Sequence, residues 1–485
     1  MTPKKFFIST AIPYVNAEPH IGFALEIIQA DVVARYHRQR GDNVFFLTGT
    51  DENSFKIARS AIDKGLSPKD LVDKNSKKFY ELKKILNLSF DDFIRTTEER
   101  HKRGAQKFWG KLQKKDIYVD TWIGWYCVGC EAYYQEKDLI DGNKCPEHLK
   151  PVEFVEEKNY FFRINPYKEK LKDLIRSDGL KIIPDNRRQE VFNLLEEFHD
   201  FNISRNKKYE WGVSVPNDSS QIIYPWVEAL TNYINGVGYM DNLDKFKTWW
   251  EDPDTKIIHV LGKGIIKFHA IYWPAMLLSA GIRLPNTIFA HGYLTIKGQK
   301  ISKSLGNVIS PQEVVSKYGT DPARYFLLRE IPSYEDGDFT YEKFRQRYNA
   351  DLANGLGNYN SRVLTLAKRD PKLRIPDEKI VNDKVEAIKT IVDQKIEEFK
   401  LNEAIAAVWE LISFGDKYLN ENEVWKISDP DKKSKKLANL LFVLISVAEL
   451  LKPFLPQTSE KILSQLEVKG DKYKVKKIET LFPRI

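Results

Sequence analysis

The segment from Phe6 to Leu47 restricts the fold most. Phe6–Ile12 is a short run of β-prone residues, Pro13–Pro19 is a loop, and a long helical pattern then runs to about Arg40. Gly41 is a natural stop after a helix. Asn43–Leu47 (NVFFL) reads as the next buried strand. Strand, loop, helix, strand is the opening of a nucleotide-binding α/β unit, whose ligand lies beyond the carboxyl ends of the strands.

The α/β pattern breaks at about Lys115. From there to about Gly212 the chain holds all three of its cysteines, many aromatics and no clear period, as an insertion would. Strand-like runs resume at Ile222–Trp226, Lys256–Leu261 and Thr287–Ala290. From about Tyr341 onward the pattern is helical, with Ile405, Val408, Leu411 and Ile412 along Leu401–Tyr418. Lys432–Lys436 reads as a solvated basic turn. The expected division is therefore 1–114, the first half of an α/β catalytic domain; 115–212, the insertion; 213–340, the second half; and 341–485, an all-α domain. No internal repeat or low-complexity tract interrupts it.

Composition narrows the class. With 485 residues, 42% hydrophobic and 30% charged, the chain can bury large cores and is neither disordered nor a disulfide scaffold. The longest apolar stretches, Ala270–Ile282 and Leu437–Ala448, fall short of the ~20 residues a membrane-spanning helix needs. Three cysteines fit a reducing cytoplasm. A net charge of +8 allows a polyanionic partner but is also what a Lys-rich surface gives.

Three clusters carry chemistry. Pro19-His20-Ile21-Gly22-Phe23 lies where the first loop enters the helix. Free N–H groups and the positive helix end there suit phosphate oxygens, and Gly22 lets a ligand approach the backbone. Lys300-Ile301-Ser302-Lys303-Ser304 supplies two lysines that can neutralise charge on a leaving pyrophosphate. Taken singly, the first reads as a structural histidine and the second as a solvated turn. Cys127-Val128-Gly129-Cys130 with Cys145-Pro146-Glu147-His148 offers four sulfur and nitrogen ligands at the spacing of a tetrahedral Zn²⁺ site. The closed set makes that metal structural, one per chain.

The His-x-Gly and K-x-S-K-S pair resembles the two signatures of class I aminoacyl-tRNA synthetases. Further segments resemble the methionyl-tRNA synthetases in particular: Thr10-Ala11-Ile12-Pro13-Tyr14-Val15-Asn16, Gly49-Thr50-Asp51-Glu52, Trp226-Val227-Glu228-Ala229, Phe268-His269, Tyr272-Trp273-Pro274-Ala275 and His291-Gly292-Tyr293. The match continues through Asn358-Tyr359-Asn360-Ser361-Arg362 to Trp425. It spans nearly the whole chain, with the motifs in the family's order and spacing.

The resemblance implies a Rossmann-type catalytic domain with a zinc-bearing insertion and a helical anticodon-binding domain. It implies ligation of methionine to tRNA(Met) through a methionyl-adenylate, with Mg²⁺ accompanying ATP. His20, Asp51, Lys300 and Lys303 would be catalytic; His20, Gly22, Gly292, Lys300 and Lys303 would hold ATP. Ala11, Ile12, Tyr14, Asp51, Trp226, Ala229, Tyr233, Ile265, His269 and Trp273 would form the methionine site, Asp51 taking the ammonium group. An aromatic pocket suits a flexible thioether, toward which Tyr14 and His269 can present polar hydrogens. Asn358, Arg362 and Trp425 would read the anticodon, since splayed single-stranded bases stack on aromatics.

Three positions depart from the family pattern. Phe23 replaces the second histidine of the first signature, Asn53 stands where a histidine commonly follows Asp-Glu, and Gly264 replaces an acidic residue. The chain ends soon after the anticodon helices, which points to a monomer. The rival readings are a synthetase for valine, isoleucine or leucine, a small nucleotidyltransferase, and a non-catalytic tRNA-binding relative. The first needs an editing domain for which there is no room. The second lacks the insertion and the anticodon helices, and retention of Asp51, His20, Lys300 and Lys303 argues against the third.

Overall fold

A computed structural model describes residues 3–146, 149–207, 211–301, 306–370, 373–374, 378–469 and 472–485. The chain forms two compact units. The first comprises Met1–Pro19, Gly41–Lys83 and Ser89–Ala290; the second comprises His20–Arg40, Lys84–Leu88 and His291–Ile485.

The first unit is built on a six-stranded sheet. Its spatial order is Asp92–Arg95, Asn43–Thr50, Lys5–Thr10, Thr255–Gly262, Thr287–His291, Lys181–Ile183. Lys5–Thr10 pairs in parallel with both neighbours, as Asn43–Thr50 does with Asp92–Arg95. Parallel strands must be covered on both faces, which is why Phe7, Ile8, Phe46, Leu47, Ile257 and Val260 read as apolar runs and are buried. The strand order reverses beside Lys5–Thr10, and the chain leaves the carboxyl ends of its strands at Ala11, Asp51 and Lys263. Such switch points are where open α/β sheets bind ligands.

The same unit holds a long hairpin. Ile117–Cys127 pairs antiparallel with Glu153–Phe162, from Ile117↔Phe162 to Tyr126↔Glu153, and Ala132–Tyr134 adds a short third strand. Trp226, placed by sequence at the end of a strand, instead lies on the helix Pro225–Leu230. Its strand, Asp218–Ile223, stops before Pro225, which cannot donate to a ladder and suits the first helical turn.

The second unit is mainly helical. Its long helices are Ile21–Gln39, Lys379–Glu397, Leu401–Glu421 and Pro430–Leu451. One knot fixes its core. Arg324, fully buried, donates to the carbonyls of Phe454 (2.8 Å), Leu86 (3.1 Å) and Pro453 (3.0 Å), and pairs with Asp31 at 2.8 Å. A buried charge survives only when paired and hydrogen-bonded in this way. Lys432–Lys436, expected as a turn, begins the Pro430–Leu451 helix, which Asp429 caps by accepting from the amides of Asp431 and Lys432. Sequence reading also missed a terminal hairpin, Leu466–Lys469 with Lys472–Val475. Among the described residues no helix is long and apolar enough to cross a membrane.

Candidate functional site

In the first unit, the loop after Lys5–Thr10 and the end of Asn43–Thr50 are tied together. Asp51 N–H donates to the Pro13 carbonyl at 2.9 Å, and Val15 N–H to the Asp51 carbonyl at 3.3 Å. Tyr14 and Asp51 are thereby held side by side. Ala11 N–H donates to the Val260 carbonyl at 3.0 Å, which fixes the start of the same loop. The Tyr14 hydroxyl is buried with no hydrogen-bond partner among the described residues. Burial, followed by the charges of Asp51 and Glu131, holds its pKa well above the usual value, so it stays a donor. A buried donor without a partner is costly unless a ligand meets it.

Aromatic side chains wall this corner. Trp226 stands edge-on to Tyr14, with ring centroids 6.0 Å apart, and stacks on Phe268 at 3.9 Å and 5°. Tyr233 packs against Trp273 at 6.2 Å and hydrogen-bonds His269 through its hydroxyl, 2.8 Å from Nε2. His269 Nδ1 lies 3.0 Å from the Ile265 carbonyl, so that nitrogen must be the donor and Nε2 the acceptor. Burial keeps the ring neutral by lowering its pKa to about 4. Both ring nitrogens are therefore occupied, and His269 has no hydrogen to turn toward a thioether. Trp273 and Tyr233 are fully buried, Ala11, Ala229 and His269 are buried, and Ile12, Ile265 and Trp226 are half-buried. Ala11, Tyr14, Asp51 and Trp226 come together; Trp273 lies deeper, against Phe108 and Trp250.

Asp51 is 2% exposed, and among the described residues its carboxylate accepts only a long hydrogen bond, from Asn53 N–H at 3.4 Å. Burial and then the neighbouring carboxylates of Glu228 and Glu131 raise its pKa well above the usual carboxylate range. A cationic ligand would relieve both effects. The sequence assigns no role to Glu228, although it lies in the Trp226-Val227-Glu228-Ala229 segment.

The hairpin brings the cysteines beside this corner. Sγ atoms of Cys127, Cys130 and Cys145 lie within 4.8 Å of one another, and no disulfide joins them. Three converging thiols fit a thiophilic, tetrahedral cation. His148 lies outside the described residues.

In the second unit, His20 is the N-cap of Ile21–Gln39 and accepts from Gly22 N–H through Nδ1 at 3.1 Å. That bond puts the ring proton on Nε2. Burial lowers the His20 pKa, which favours the neutral ring. Two residues flanking the centre of the K-x-S-K-S segment lie near the same turn: Ile21 N–H donates to the Ile309 carbonyl at 2.9 Å, and a Cβ on Gly22 would sit 3.4 Å from Ile301 Cδ1. Lys300 is exposed on Gln299–Lys300, while Lys303 lies outside the described residues. Gly292 is obligatory, since a Cβ there would lie 2.1 Å from the Glu335 carbonyl oxygen. Its neighbour His291 faces Glu26 at 3.1 Å, a pair with no sequence signal because 265 positions separate them.

Asn358 and Arg362 share the helix Asn358–Ala367. Arg362 pairs with Asp416 at 2.6 Å, donates to Asn420 at 2.7 Å, and lies 6.0 Å from the Trp425 ring. Trp425 is 43% exposed, so it is no buried helix contact.

Comparison with known proteins identifies the family. Residues 6–151 and 148–364 match the family model for class I tRNA synthetases (M), and residues 378–482 match that for the anticodon-binding domain of tRNA ligases. The chain is 40% identical to a methionine–tRNA ligase of Brucella suis, over 97% of this chain and 93% of that one. It is also 40% identical to one of Caldanaerobacter subterraneus, over 99% of this chain and 79% of that one. The Mycobacterium tuberculosis methionyl-tRNA synthetase, solved in complex with methionyl-adenylate, superposes with a TM-score of 0.93 at 35% identity, covering 99% of this chain and all of that one. With family-model matches over most of its length and relatives this similar end to end, the chain belongs to the methionyl-tRNA synthetases, among the class I tRNA synthetases.

Proposed function

We propose that this chain ligates methionine to tRNA(Met) in two steps. The methionine carboxylate attacks the α-phosphate of ATP, forming methionyl-adenylate and releasing pyrophosphate. A terminal ribose hydroxyl of the tRNA then attacks the activated carbonyl, and AMP leaves. The observation that carries this reading is the Tyr14–Asp51–Trp226 corner at the carboxyl ends of parallel strands. It combines a buried acid, a hydroxyl with no hydrogen-bond partner among the described residues, and stacked rings.

In this reading Asp51 pairs with the ammonium group and Tyr14 donates to the substrate. Ala11, Ile12, Trp226, Ala229, Tyr233, Ile265, His269 and Trp273 shape the apolar pocket by packing. His20 donates from Nε2 to phosphate, helped by the amide end of its helix. Gly22 and Gly292 admit the nucleotide, and Lys300 and Lys303 neutralise pyrophosphate as it leaves. Mg²⁺ bound to ATP would share that neutralisation. The protein mainly positions reactants and stabilises charge.

Cys127, Cys130, Cys145 and His148 hold one structural Zn²⁺, and Asn358, Arg362 and Trp425 read the anticodon. The division 1–114, 115–212, 213–340 and 341–485 follows these roles. Unbridged thiols gathered at one site fit a reducing compartment, the cytoplasm. The chain is expected to act as a monomer.

ATP–pyrophosphate exchange with a panel of amino acids tests the reading. Exchange should require methionine. Exchange driven equally by leucine or valine, or none with any amino acid, would overturn it.

A further inference from the structure

Behind Asp51 lies a buried polar cluster that the roles above leave unused. Glu228, 1% exposed on the helix Pro225–Leu230, accepts from Asn53 Nδ2 at 3.1 Å. His101 Nε2 lies 2.5 Å from the same carboxylate oxygen, and His101 is fully buried on Glu99–Trp109. The other oxygen of Glu228 is buried with no hydrogen-bond partner among the described residues. Asn53 also donates to the Thr96 carbonyl at 2.8 Å, so its side chain is fixed. Its own backbone N–H is the group that reaches Asp51.

Glu52, the adjacent acid, behaves differently. Arg95 grips it twice, at 2.7 and 3.1 Å, and Thr50 donates to it at 2.8 Å. Its charge is compensated inside the protein. The Asp51–Glu228 pair, by contrast, keeps acceptor capacity in a buried place: among the described residues one Glu228 oxygen has no partner, and the Asp51 carboxylate accepts only the long bond from Asn53. Such an arrangement is costly unless a cation completes it.

We propose that Glu228 is a positioning residue for the substrate's amino group. Locked by His101 on one oxygen, it orients Asn53 and, through Asn53, Asp51. Its charge makes a cation the best-satisfied occupant of that corner. The inference rests on the reading of Asp51 as the ammonium partner and adds how the site demands an ammonium rather than a neutral group. The charged and titratable groups facing Asp51 are Glu228, Glu131 and Glu52, the Lys56 ammonium and the Tyr14 hydroxyl. Removing the Glu228 charge leaves fewer like charges against Asp51, which should then ionise at lower pH.

The test uses ATP–pyrophosphate exchange on the whole chain with two probes, L-methionine and its α-hydroxy analogue. At a pH where Asp51 is ionised, Glu228→Gln should raise the methionine KM about 10-fold to 100-fold. The KM for ATP and the kcat at saturation should stay near wild type. Preference for methionine over the hydroxy analogue should fall by the same factor, and the acidic limb of kcat/KM should move to lower pH. Asn53→Ala should shift preference in the same direction, as should His101→Leu. His101→Gln, whose amide can still donate, should restore it.

If these variants keep the wild-type preference and pH profile, the proposal fails, whatever happens to their thermal stability. Asp51→Asn separates the two levels. Should it leave the preference unchanged, the ammonium role of Asp51 itself falls. Should it abolish the preference while Glu228→Gln does not, only the role of Glu228 falls.

Discussion

The indole N–H of Trp226 donates to the carbonyl of Cys130 across 3.1 Å. A wall of the proposed methionine pocket therefore hangs directly on the cysteine loop. Two neighbours repeat the pattern. The Tyr224 hydroxyl donates to the Glu131 carbonyl, and the Lys56 ammonium donates to the Gly129 carbonyl at 2.9 Å while lying 5.2 Å from the Tyr14 ring centroid. A metal that fixes this loop also fixes the rings behind the substrate.

Metal removal should therefore be felt at the pocket. Purified protein should carry one Zn²⁺ per chain. Cys127→Ser should release it more readily, raise the methionine KM and alter tryptophan fluorescence, with the ATP KM changed less. Elemental analysis and fluorescence titration with methionine check this. Reductively purified protein free of zinc, with normal methionine affinity, would remove the idea.

Trp425 offers a separate handle. An exposed indole beside the Arg362 guanidinium is available for stacking a base, and each such stack is worth roughly 1–3 kcal/mol. Trp425→Ala should weaken aminoacylation of tRNA by about that amount. Amino-acid activation without tRNA should barely change. Equal damage to both steps would mark the residue as structural.

Acid should destabilise the protein through its buried histidines. Burial lowers the pKa of His259 well below its usual value, and the His269 value falls to about 4. Both are neutral when folded, and the unfolded chain takes up their protons first. The stability they protect is complete above the unfolded value and is lost as pH falls toward the folded one. For His269 that window runs from 6.5 to about 4 and corresponds to about 3 kcal/mol. Thermal melts should show Tm falling steadily below pH 6.5. His269→Gln, which cannot be protonated there, should flatten part of the slope.

The α/β opening was legible because buried parallel strands read as apolar runs and Gly41 marks the helix end. The gathering of Cys127, Cys130 and Cys145 and the place of His20 at a helix entry were legible for the same reason, as local patterns. What could not be read depends on distance in sequence. Nothing near His101 announces Glu228, 127 positions away, nor does Glu26 announce His291. Trp226 was misplaced because the apolar run Ile222–Trp226 suits a strand or a short buried helix equally. Lys432–Lys436 looked like a turn because its charge hid a helix whose buried face begins at Ser434 and Leu437.

His20 caps a helix and, in the proposed reading, also meets phosphate, and substitution can separate the two. Nδ1 caps the helix by accepting from Gly22 N–H, and this bond leaves the proton on Nε2, available for phosphate. Phe23, which stands where the resemblance expects a second histidine, cannot donate, so the proposed reading puts that task on His20. His20→Ala should lose both functions. Cap loss costs about 1 kcal/mol of stability. Loss of a preorganised donor to developing charge costs about 2.7–4 kcal/mol of transition-state stabilisation, roughly 100-fold to 1,000-fold in adenylation rate. His20→Asn keeps an oxygen that can cap Gly22 while placing no donor at the Nε2 position, so stability should return without the rate. Phe23→His should raise the rate modestly in the wild-type background. It should raise it more in His20→Ala, because the new donor then has no competitor. Pre-steady-state adenylate formation measured beside thermal melts decides the matter: a rate that follows Tm across these variants would reduce His20 to a helix cap.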